Sequence, residues 1–536
     1  MVSKRFLKAA VILIALLSMV AAGCGPQPAT PPKAEPKPEP KVDPATRTLT
    51  TAQSIDIDTL DPQQMGTAYD PHNMMFGYPV TLGLKNDQPY PFMAKSVQAS
   101  ADGLTITFTL PDDLKLSNGK KVTGQDWIKT IERYKKISPY ASDFDEVKEM
   151  KADGQKVTLT FKGPNAYFWP VLASSYTGVI DWEEAEKVGK EAFGQKPIGA
   201  GPYKLKQWVR GSQVVLEKNP NFTDYIPFVK NHGGYSFDTI VIRIIPDNFT
   251  RISELEAGNV DYVYDVPAEF VDRIKANPKL KLISAVRAGE AYLRLNTTKA
   301  PFNNVKFRQA LNYAINRDEI KAAWKGGVEP VYTLLSPAQL CYSAQTEAEL
   351  KAQLKTDPAK AKALLAELGY KDTNNDGYLE KSGQRLTLTL QGIASHRVGL
   401  TVIQAQLKNV GIEVKVMEQP GGVVTQSVKD RKFDMTISTW WWTDPDIWFY
   451  GLHSKGSTGV SVWSSKETDQ MLEDQRKQVD VKQRTATWSA LSKKVAQELP
   501  LIPMYHFYDY KAIRSNIEGY QVGVDGAIFW NDAIKK

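Results

Sequence analysis

The chain has 536 residues, of which 42% are apolar and 24% are charged, so it is long enough for several domains with cores of their own. Its formal net charge of +7 is small for this length and says little about partners. No nucleic-acid partner is expected. Of its two cysteines only Cys341 lies in the body of the chain, which excludes an internal disulfide framework.

The N-terminus predicts export. Three basic residues precede an apolar run, Ala9–Ala22, and small residues lead to Cys24. A charged start, a short apolar run and small residues describe a secretory signal peptide. The pattern resembles a bacterial lipoprotein signal, in which cleavage precedes the cysteine and the cysteine carries the lipid. We therefore expect a signal peptide over 1–23 and, over 24–46, a lipidated Cys24 with a Pro-rich tether at the outer side of the cell membrane.

Strand and helix patterns alternate in the first half of the body. Leu104–Leu110 and Lys156–Phe161 alternate apolar and polar residues, which predicts two strands. Between them, Thr123–Lys136 predicts a helix. This part of the chain therefore combines both kinds of element.

The second half gives a βαβ order. Asp357 can cap a helix, Pro358 fits its first turn and Gly369 can end it. The segments that follow predict a strand, a helix and two strands, the last over Phe433–Thr439. This order predicts an α/β lobe over about Tyr292–Tyr505.

The sequence TWWWTDPDIWFY begins where that last strand is predicted to end. In open α/β sheets, ligands bind beyond the carboxyl ends of strands, so this segment is a candidate wall of a binding site. Its aromatic rings can stack on flat apolar groups or hold cations. Because side chains alternate in extended chain, we expect Trp440 and Trp442 on one side and Trp441 on the other. The carboxylates of Asp444 and Asp446 complete the candidate wall.

Six passages along the body together resemble one family, the family 5 extracellular solute-binding proteins of ABC importers. No single passage is specific, but their order is. In the third passage Ala200 stands where Thr is usual. The six are TLDP (Thr59–Pro62), Ala101–Lys136, Ile198–Phe222, Leu295–Ile320, FDMTISTWWWTDPD and PLIPMYHFYDYKAIRSNIEGY.

The resemblance implies an α/β fold like that of the type II, cluster C periplasmic binding proteins, with two α/β lobes, a hinge and an inserted domain. Domain I would comprise 47–81, 193–290 and 506–536. Domain II would be the insertion 82–192, and domain III would be 291–505. The ligand would be enclosed between domains I and III by hinge closure.

The resemblance also implies a monomeric binding protein that is not an enzyme. It would carry no cofactor, catalytic residues or metal, and would deliver a small solute to an ABC permease driven by a separate ATPase. The chain has no phosphate-binding loop of its own. A sensory receptor of the same fold and a secreted hydrolase are the alternatives.

One departure from the family concerns the ligand. In peptide-binding members a carboxylate three positions before the Asp/Glu-Pro pair binds the ligand's α-amine. Here the pair is Asp444-Pro445, and Trp441 occupies that position. This departure weakens the prediction of a peptide with a free N-terminus and favours a ligand held by stacking, such as an oligosaccharide or a blocked peptide. Because oligopeptides are the commonest ligands of the family, oligopeptide stays narrowly ahead of oligosaccharide. By position in the family, the remaining candidate wall residues are Thr67, Ala68, Tyr69 and Trp463.

The turn DTNNDGYLE resembles half of a calcium-binding loop. Asp372, Asn374 and Asp376 take its first, third and fifth positions, and Gly377 takes the glycine position. The twelfth position, where a bidentate Glu is required, is Gly383. The pattern therefore favours a solvated turn over a metal site.

Overall fold

The computed structural model describes residues 47–64, 70–84, 89–165, 168–456, 463, 465–523 and 526–536. The predicted signal peptide, Cys24 and the tether lie outside these residues, and so do Thr67, Ala68 and Tyr69. Within the described ranges, no helix combines the length and the apolar character that crossing a bilayer requires.

Strands and helices alternate along the described chain. The strands are β1 (Thr48–Gln53), β2 (Val80–Thr81), β3 (Tyr90–Pro91), β4 (Ser96–Ala99), β5 (Thr105–Thr109), β6 (Val147–Asp153), β7 (Lys156–Phe161), β8 (Tyr203–Val209), β9 (Gln213–Lys218), β10 (Thr239–Ile244), β11 (Tyr262–Val263), β12 (Leu280–Val286), β13 (Gly289–Leu295), β14 (Val328–Pro330), β15 (Glu380–Lys381), β16 (Gln384–Arg385), β17 (Thr387–Gly392), β18 (Glu413–Glu418), β19 (Met435–Trp441), β20 (Leu501–Arg514), β21 (Ile517–Glu518), β22 (Gln521–Val522), β23 (Ile528–Phe529) and β24 (Ile534–Lys535).

The described residues also form α-helices between the strands. They are α1 (Asp70–Met75), α2 (Gly124–Ile137), α3 (Trp169–Leu172), α4 (Trp182–Val188), α5 (Lys190–Gln195), α6 (Asn248–Ala257), α7 (Val271–Ala276), α8 (Val305–Ala314), α9 (Arg317–Ala323), α10 (Ala344–Gln353), α11 (Pro358–Glu367), α12 (Arg397–Lys408), α13 (Gly421–Lys429), α14 (Ile447–Leu452), α15 (Lys466–Lys477) and α16 (Val481–Glu498).

A large mixed sheet organises the described residues. Its strand order is β18-β17-β19-β13-β20-β11-β1-β10-β9-β8, and β12 and β14 also pair with β20. β20 is 14 residues long and pairs with β13 near its start and with β11 and β12 near its end. One long strand therefore connects two groups of strands, each of which buries its own apolar residues.

The βαβ prediction for the second half is confirmed. β17 and β18 pair in parallel, and α12 connects them. The helix buries Leu400, Ile403 and Leu407 in the same core as Leu388 and Leu390 of β17, which is the packing that helical and strand periodicity predict.

The predicted ends of α11 are confirmed as well. The Asp357 carboxylate accepts a hydrogen bond from the Lys360 amide at 2.9 Å, and Pro358 takes the first helical position. After the helix, Gly369 has φ +85°, a conformation that glycine adopts without a steric penalty.

A separate antiparallel sheet has the order β4-β5-β7-β6 and packs on α2. The predicted strands over 104–110 and 156–161 are β5 and β7, and the predicted helix over 123–136 is α2. A capping box starts this helix: Thr123 accepts from the Asp126 amide, and the Asp126 carboxylate accepts from the Thr123 amide at 2.8 Å.

One boundary differs from its prediction in a way that matters for the site. The last strand of the βαβ region was predicted to end at Thr439, but β19 continues to Trp441. The reason is non-local: β13 pairs with β19 along its whole length, up to Gly289 opposite Trp441. Trp440 and Trp441 are therefore strand residues and not part of the following loop.

Candidate functional site

One edge of β19 is open. β17 pairs with β19 only at Met435 and Thr436, whereas β13 follows the other edge through all seven residues. From Ile437 onward, the β17 side of β19 has no strand partner among the residues that the structure describes. Such an edge presents backbone N–H and C=O groups to whatever lies beside it.

A cavity of about 450 Å³ lies along this open edge. It lies past the carboxyl end of β17, the position at which open α/β sheets bind ligands. We call it the β19 cavity. Its lining residues are Arg294, Ile393, His396, Gly421, Val424, Thr425, Val428, Lys429, Ile437, Ser438, Thr439 and Trp440.

Arg294 brings an uncompensated positive charge to the β19 cavity. Its side chain is 6% exposed, and its Nη2 donates to the Tyr292 hydroxyl at 2.7 Å. Its Nε has no hydrogen-bond partner, and no carboxylate of the described residues forms an ion pair with it. A buried charge without a counter-ion is costly, so this part of the cavity favours an anion.

His396 contributes a neutral imidazole. The residue is 4% exposed, and burial lowers the pKa of its side chain to about 4. At neutral pH the ring is therefore uncharged, and among the described residues its Nδ1 has no hydrogen-bond partner. The ring can exchange one hydrogen bond with a solute in the cavity.

Trp440 supplies an aromatic wall. Its ring centroid lies 5.7 Å from that of Tyr292 and 5.2 Å from that of Trp448, which hold it at the cavity. Trp441 faces the other way: Phe507 lies 5.3 Å from its ring, and the Arg287 guanidinium lies 4.4 Å from the ring centroid. The predicted alternation of these two tryptophans is confirmed.

The predicted position of Trp442 is wrong. It was expected on the side of Trp440, but it packs against the core of the four-stranded sheet. Because β19 ends at Trp441, strand alternation no longer applies to the next residue. The Trp442 amide instead donates to the Ala288 carbonyl at 3.1 Å, which turns the chain away from the β19 cavity.

Asp444 and Asp446 are both 1% exposed, and each is neutralised by an arginine. Asp444 accepts two hydrogen bonds from Arg484, at 2.6 and 2.7 Å. Asp446 accepts two from Arg476, at 2.8 and 2.7 Å. Neither carboxylate lines the β19 cavity. Asp444 instead borders a second cavity, of about 160 Å³, beside the four-stranded sheet.

Trp463 also lies away from the β19 cavity. Its Nε1 donates to a Glu498 carboxylate oxygen at 2.6 Å, and its ring packs on the apolar cluster that contains Trp448 and Trp488. Of the candidate wall residues within the described ranges, Trp440 alone lines the β19 cavity. The site roles predicted for the others stay predictions.

Sequence reasoning missed the charged and polar residues of this cavity. The signal for Arg294 was a basic residue inside an otherwise apolar strand, YLRLN. The signal for His396 was its position just past the end of a predicted strand. Lys429 gave no signal, because it lies at the exposed end of α13 and reaches the cavity only through tertiary packing.

Glu290, a buried acid on β13, was missed as well. Its side chain is fully buried, and neither of its carboxylate oxygens has a hydrogen-bond partner among the described residues. Burial raises the pKa of this carboxyl well above its usual value. It lies on β13 opposite Trp440, at the end of the same strand pair.

The family model "Bacterial extracellular solute-binding proteins, family 5 Middle" matches residues 88–461. The oligopeptide-binding protein AppA of Bacillus subtilis is 26% identical over 451 residues, which are 80% of this chain and 80% of that protein. The glutathione-binding protein GsiB of Escherichia coli K12 is 26% identical over 524 residues, 91% of this chain and 94% of that protein.

Solved structures are similar over most of the chain. NikA from Brucella suis in complex with Fe(III)-EDTA has a TM-score of 0.79 at 21% identity and covers 91% of this chain and 100% of its own. HbpA2 from Haemophilus parasuis has a TM-score of 0.76 at 23% identity, with the same coverage. Bacillus subtilis AppA in complex with a nonapeptide has a TM-score of 0.72 at 23% identity and covers 91% and 99%.

These similarities confirm the predicted α/β fold of the type II periplasmic binding proteins. They also confirm the prediction of a binding protein rather than an enzyme, because the relatives are solute-binding proteins. The chain belongs to the bacterial extracellular solute-binding proteins of family 5, which serve ABC importers.

Proposed function

We propose that this protein binds a peptide along the open edge of β19 and delivers it to an ABC permease. The observation that carries the proposal is the combination, in one cavity, of an unpaired strand edge and a buried arginine without a carboxylate partner. An extended peptide can add to such an edge as a further strand. Its C-terminal carboxylate can pair with Arg294, and the exposed Lys429 adds positive charge nearby.

The same features argue against a neutral oligosaccharide. A sugar chain can stack on Trp440, but it offers neither the regular N–H and C=O groups that a strand edge requires nor an anion for Arg294. Relatives named for oligopeptide and glutathione binding support the peptide reading. Peptide is therefore preferred here on the chemistry of the cavity as well as on family membership.

The α-amine of the peptide is bound differently from the family pattern in this proposal. At the position where peptide-binding members carry a carboxylate, Trp441 lies against the guanidinium of Arg287, at 4.4 Å. Arg287 in turn pairs with Asp509 at 3.7 Å, so this position offers a free amine an aromatic ring and a guanidinium in place of the family's carboxylate. The ligand therefore places its N-terminus elsewhere or carries a blocked one.

Capture by closure of domain I (47–81, 193–290 and 506–536) onto domain III (291–505), with domain II (82–192) as an insertion, remains part of the proposal. In this division the link from β12 to β13 and the long strand β20 would be the crossings between the two domains, and β20 pairs with strands of both. Thr67, Ala68 and Tyr69 would face the ligand from domain I.

Anchoring through a lipid on Cys24 completes the proposal. The lipoprotein-like signal and the Pro-rich tether support it. Replacing Cys24 with Ser should release the protein from the membrane fraction into the soluble extracytoplasmic fraction. Retention of the variant in the membrane fraction would contradict the anchor.

Native mass spectrometry of the purified chain tests the ligand class. We expect a co-purifying mass that fragments as amino acids. A series of masses spaced by hexose or pentose units would contradict the peptide proposal. It would indicate instead that the tryptophans stack on a sugar chain. Incubation of the protein with the recovered ligand should leave the ligand intact, because the alternative of a secreted hydrolase requires turnover.

A further inference from the structure

The turn between α11 and β15 gathers three carboxylates. A carboxylate oxygen of each of Asp372, Asp376 and Glu380 lies within 4.8 Å of one from each of the other two. Backbone hydrogen bonds between Lys371 and Glu380, at 3.0 and 2.7 Å, close the turn. Gly377, with φ +87°, provides the tight bend that calcium-binding loops place at this position.

The environment of the Glu380 carboxylate indicates that this cluster binds a ligand. The residue is 7% exposed, and one of its carboxylate oxygens accepts hydrogen bonds from the amide and hydroxyl of Thr373, at 2.8 and 2.9 Å. The other oxygen, Oε1, is buried without a hydrogen-bond partner among the described residues. A buried carboxylate oxygen costs free energy unless a donor or a cation satisfies it.

The charge balance of the turn fits a divalent cation. Arg385 pairs with Asp376, whereas Asp372 and Glu380 form no ion pair with any residue that the structure describes. The Nη1 of Arg385 also lies 3.8 Å from a Glu413 carboxylate oxygen. Arg385 can therefore leave Asp376 to a metal ion and still keep an acidic partner.

We propose that this turn is a calcium site, with Asp372, Asp376 and Glu380 as its carboxylate ligands and Asn374 beside them. Glu380 provides the acidic ligand that the sequence pattern lacks at its twelfth position, and it does so from the ninth. Oxygen ligands in irregular geometry suit Ca²⁺, whereas Mg²⁺ demands a near-ideal octahedron. The ion would link the turn to the β15–β16 hairpin.

Calcium titration of the full chain, stripped with EDTA and dialysed, tests the site by calorimetry. We expect a dissociation constant of about 10⁻⁴ to 10⁻³ M, the range of extracellular calcium modules. Terbium should luminesce on excitation of the chain's tyrosines, because Tyr378 lies within the turn. An increase in melting temperature with CaCl₂ but not with MgCl₂ is a further expected result.

Glu380→Gln should weaken calcium binding by at least about tenfold, since it removes a charged ligand. The matched control is Glu418→Gln, an acid on β18 that pairs with Arg397 outside the cluster, and it should bind calcium like the parent chain. If Glu380→Gln does not fold, the exposed Asp372→Asn takes its place. Absence of calcium binding to the parent chain at about 5 mM, above the range of such modules, would overturn the proposal. Equal affinity of the cluster variants and the control would also overturn it.

Discussion

Two buried arginines of this protein lie in opposite electrostatic situations. Arg484 is 1% exposed and donates two hydrogen bonds to Asp444, whereas Arg294 is 6% exposed and has no ion pair with the described residues. The first closes a contact within the chain. The second lines a cavity beside an open strand edge. Burial of a charge alone therefore does not mark a candidate binding site, whereas a buried charge without an ion pair, at the wall of a cavity, does mark one.

Breaking the compensated pair should give the largest change in stability. Asp444→Ala leaves the Arg484 guanidinium buried and uncompensated, and we expect the free energy of unfolding to fall by about 3–5 kcal/mol. Urea denaturation followed by circular dichroism measures it. Glu256→Ala, which breaks the more exposed pair with Arg273, is the control and should cost about 1 kcal/mol or less. A loss for Asp444→Ala no larger than that of the control would show that the two sites do not differ as described.

His396 is a third buried basic residue, and like Arg294 it lines the β19 cavity. Its pKa is lowered from the usual value of about 6.5 to about 4, so the neutral ring contributes stability above pH 6.5 that is lost as the pH falls toward 4. The shift corresponds to about 3 kcal/mol. Denaturation of the parent chain and of His396→Gln across this range should show a smaller loss in the variant. Parallel curves would mean that folding does not lower the pKa of this ring.

Glu290 is the acidic counterpart of Arg294 on the same strand. Because its pKa is raised, it favours the folded state below its unfolded pKa of about 4.3, and this contribution is lost as the pH rises. Glu290→Leu removes a buried carboxyl without a described partner and should raise the free energy of unfolding by about 1–2 kcal/mol at pH 8 and by less at pH 4. A gain that does not depend on pH would contradict a buried titrating carboxyl.

Substitution of Trp440 should give the smallest of these free-energy changes, and it should affect ligand binding. Trp440→Ala removes the aromatic wall of the β19 cavity and should weaken ligand binding by a little more than 1 kcal/mol, as truncation of a contact residue often does. Trp208→Ala, on the distant strand β8, is the matched control. Affinities from calorimetry that do not differ between the two variants would remove Trp440 from the binding wall.

Local elements were predictable from the sequence, and the cavity was not. The ends of α11 follow from Asp357, Pro358 and Gly369, and the β17–α12–β18 unit follows from its periodicity, because these signals lie within a few residues of one another. The open edge of β19 depends on how far β17 extends beside it, which no local pattern encodes.

The surroundings of the two acids in the aromatic segment could not be predicted from the sequence either. Asp444 and Asp446 looked available to a ligand because their arginine partners come 40 and 30 residues later in the chain. No residue near the two acids in the sequence indicates that these arginines pair with them. Arg294 was overlooked for the opposite reason: within a strand, a lone basic residue gives no indication of whether it has a counter-ion.

A thermodynamic cycle on Arg294 tests directly whether this residue binds the C-terminal carboxylate of the peptide. The peptide recovered by mass spectrometry and its C-terminal amide are titrated into the parent chain and into Arg294→Gln, with Arg273→Gln as a control for loss of a surface charge. We expect amidation to weaken binding to the parent chain and the control by about 30-fold, or about 2 kcal/mol, and to matter little in Arg294→Gln. An equal loss in all three proteins would show that Arg294 does not bind the carboxylate and would contradict the account of the β19 cavity.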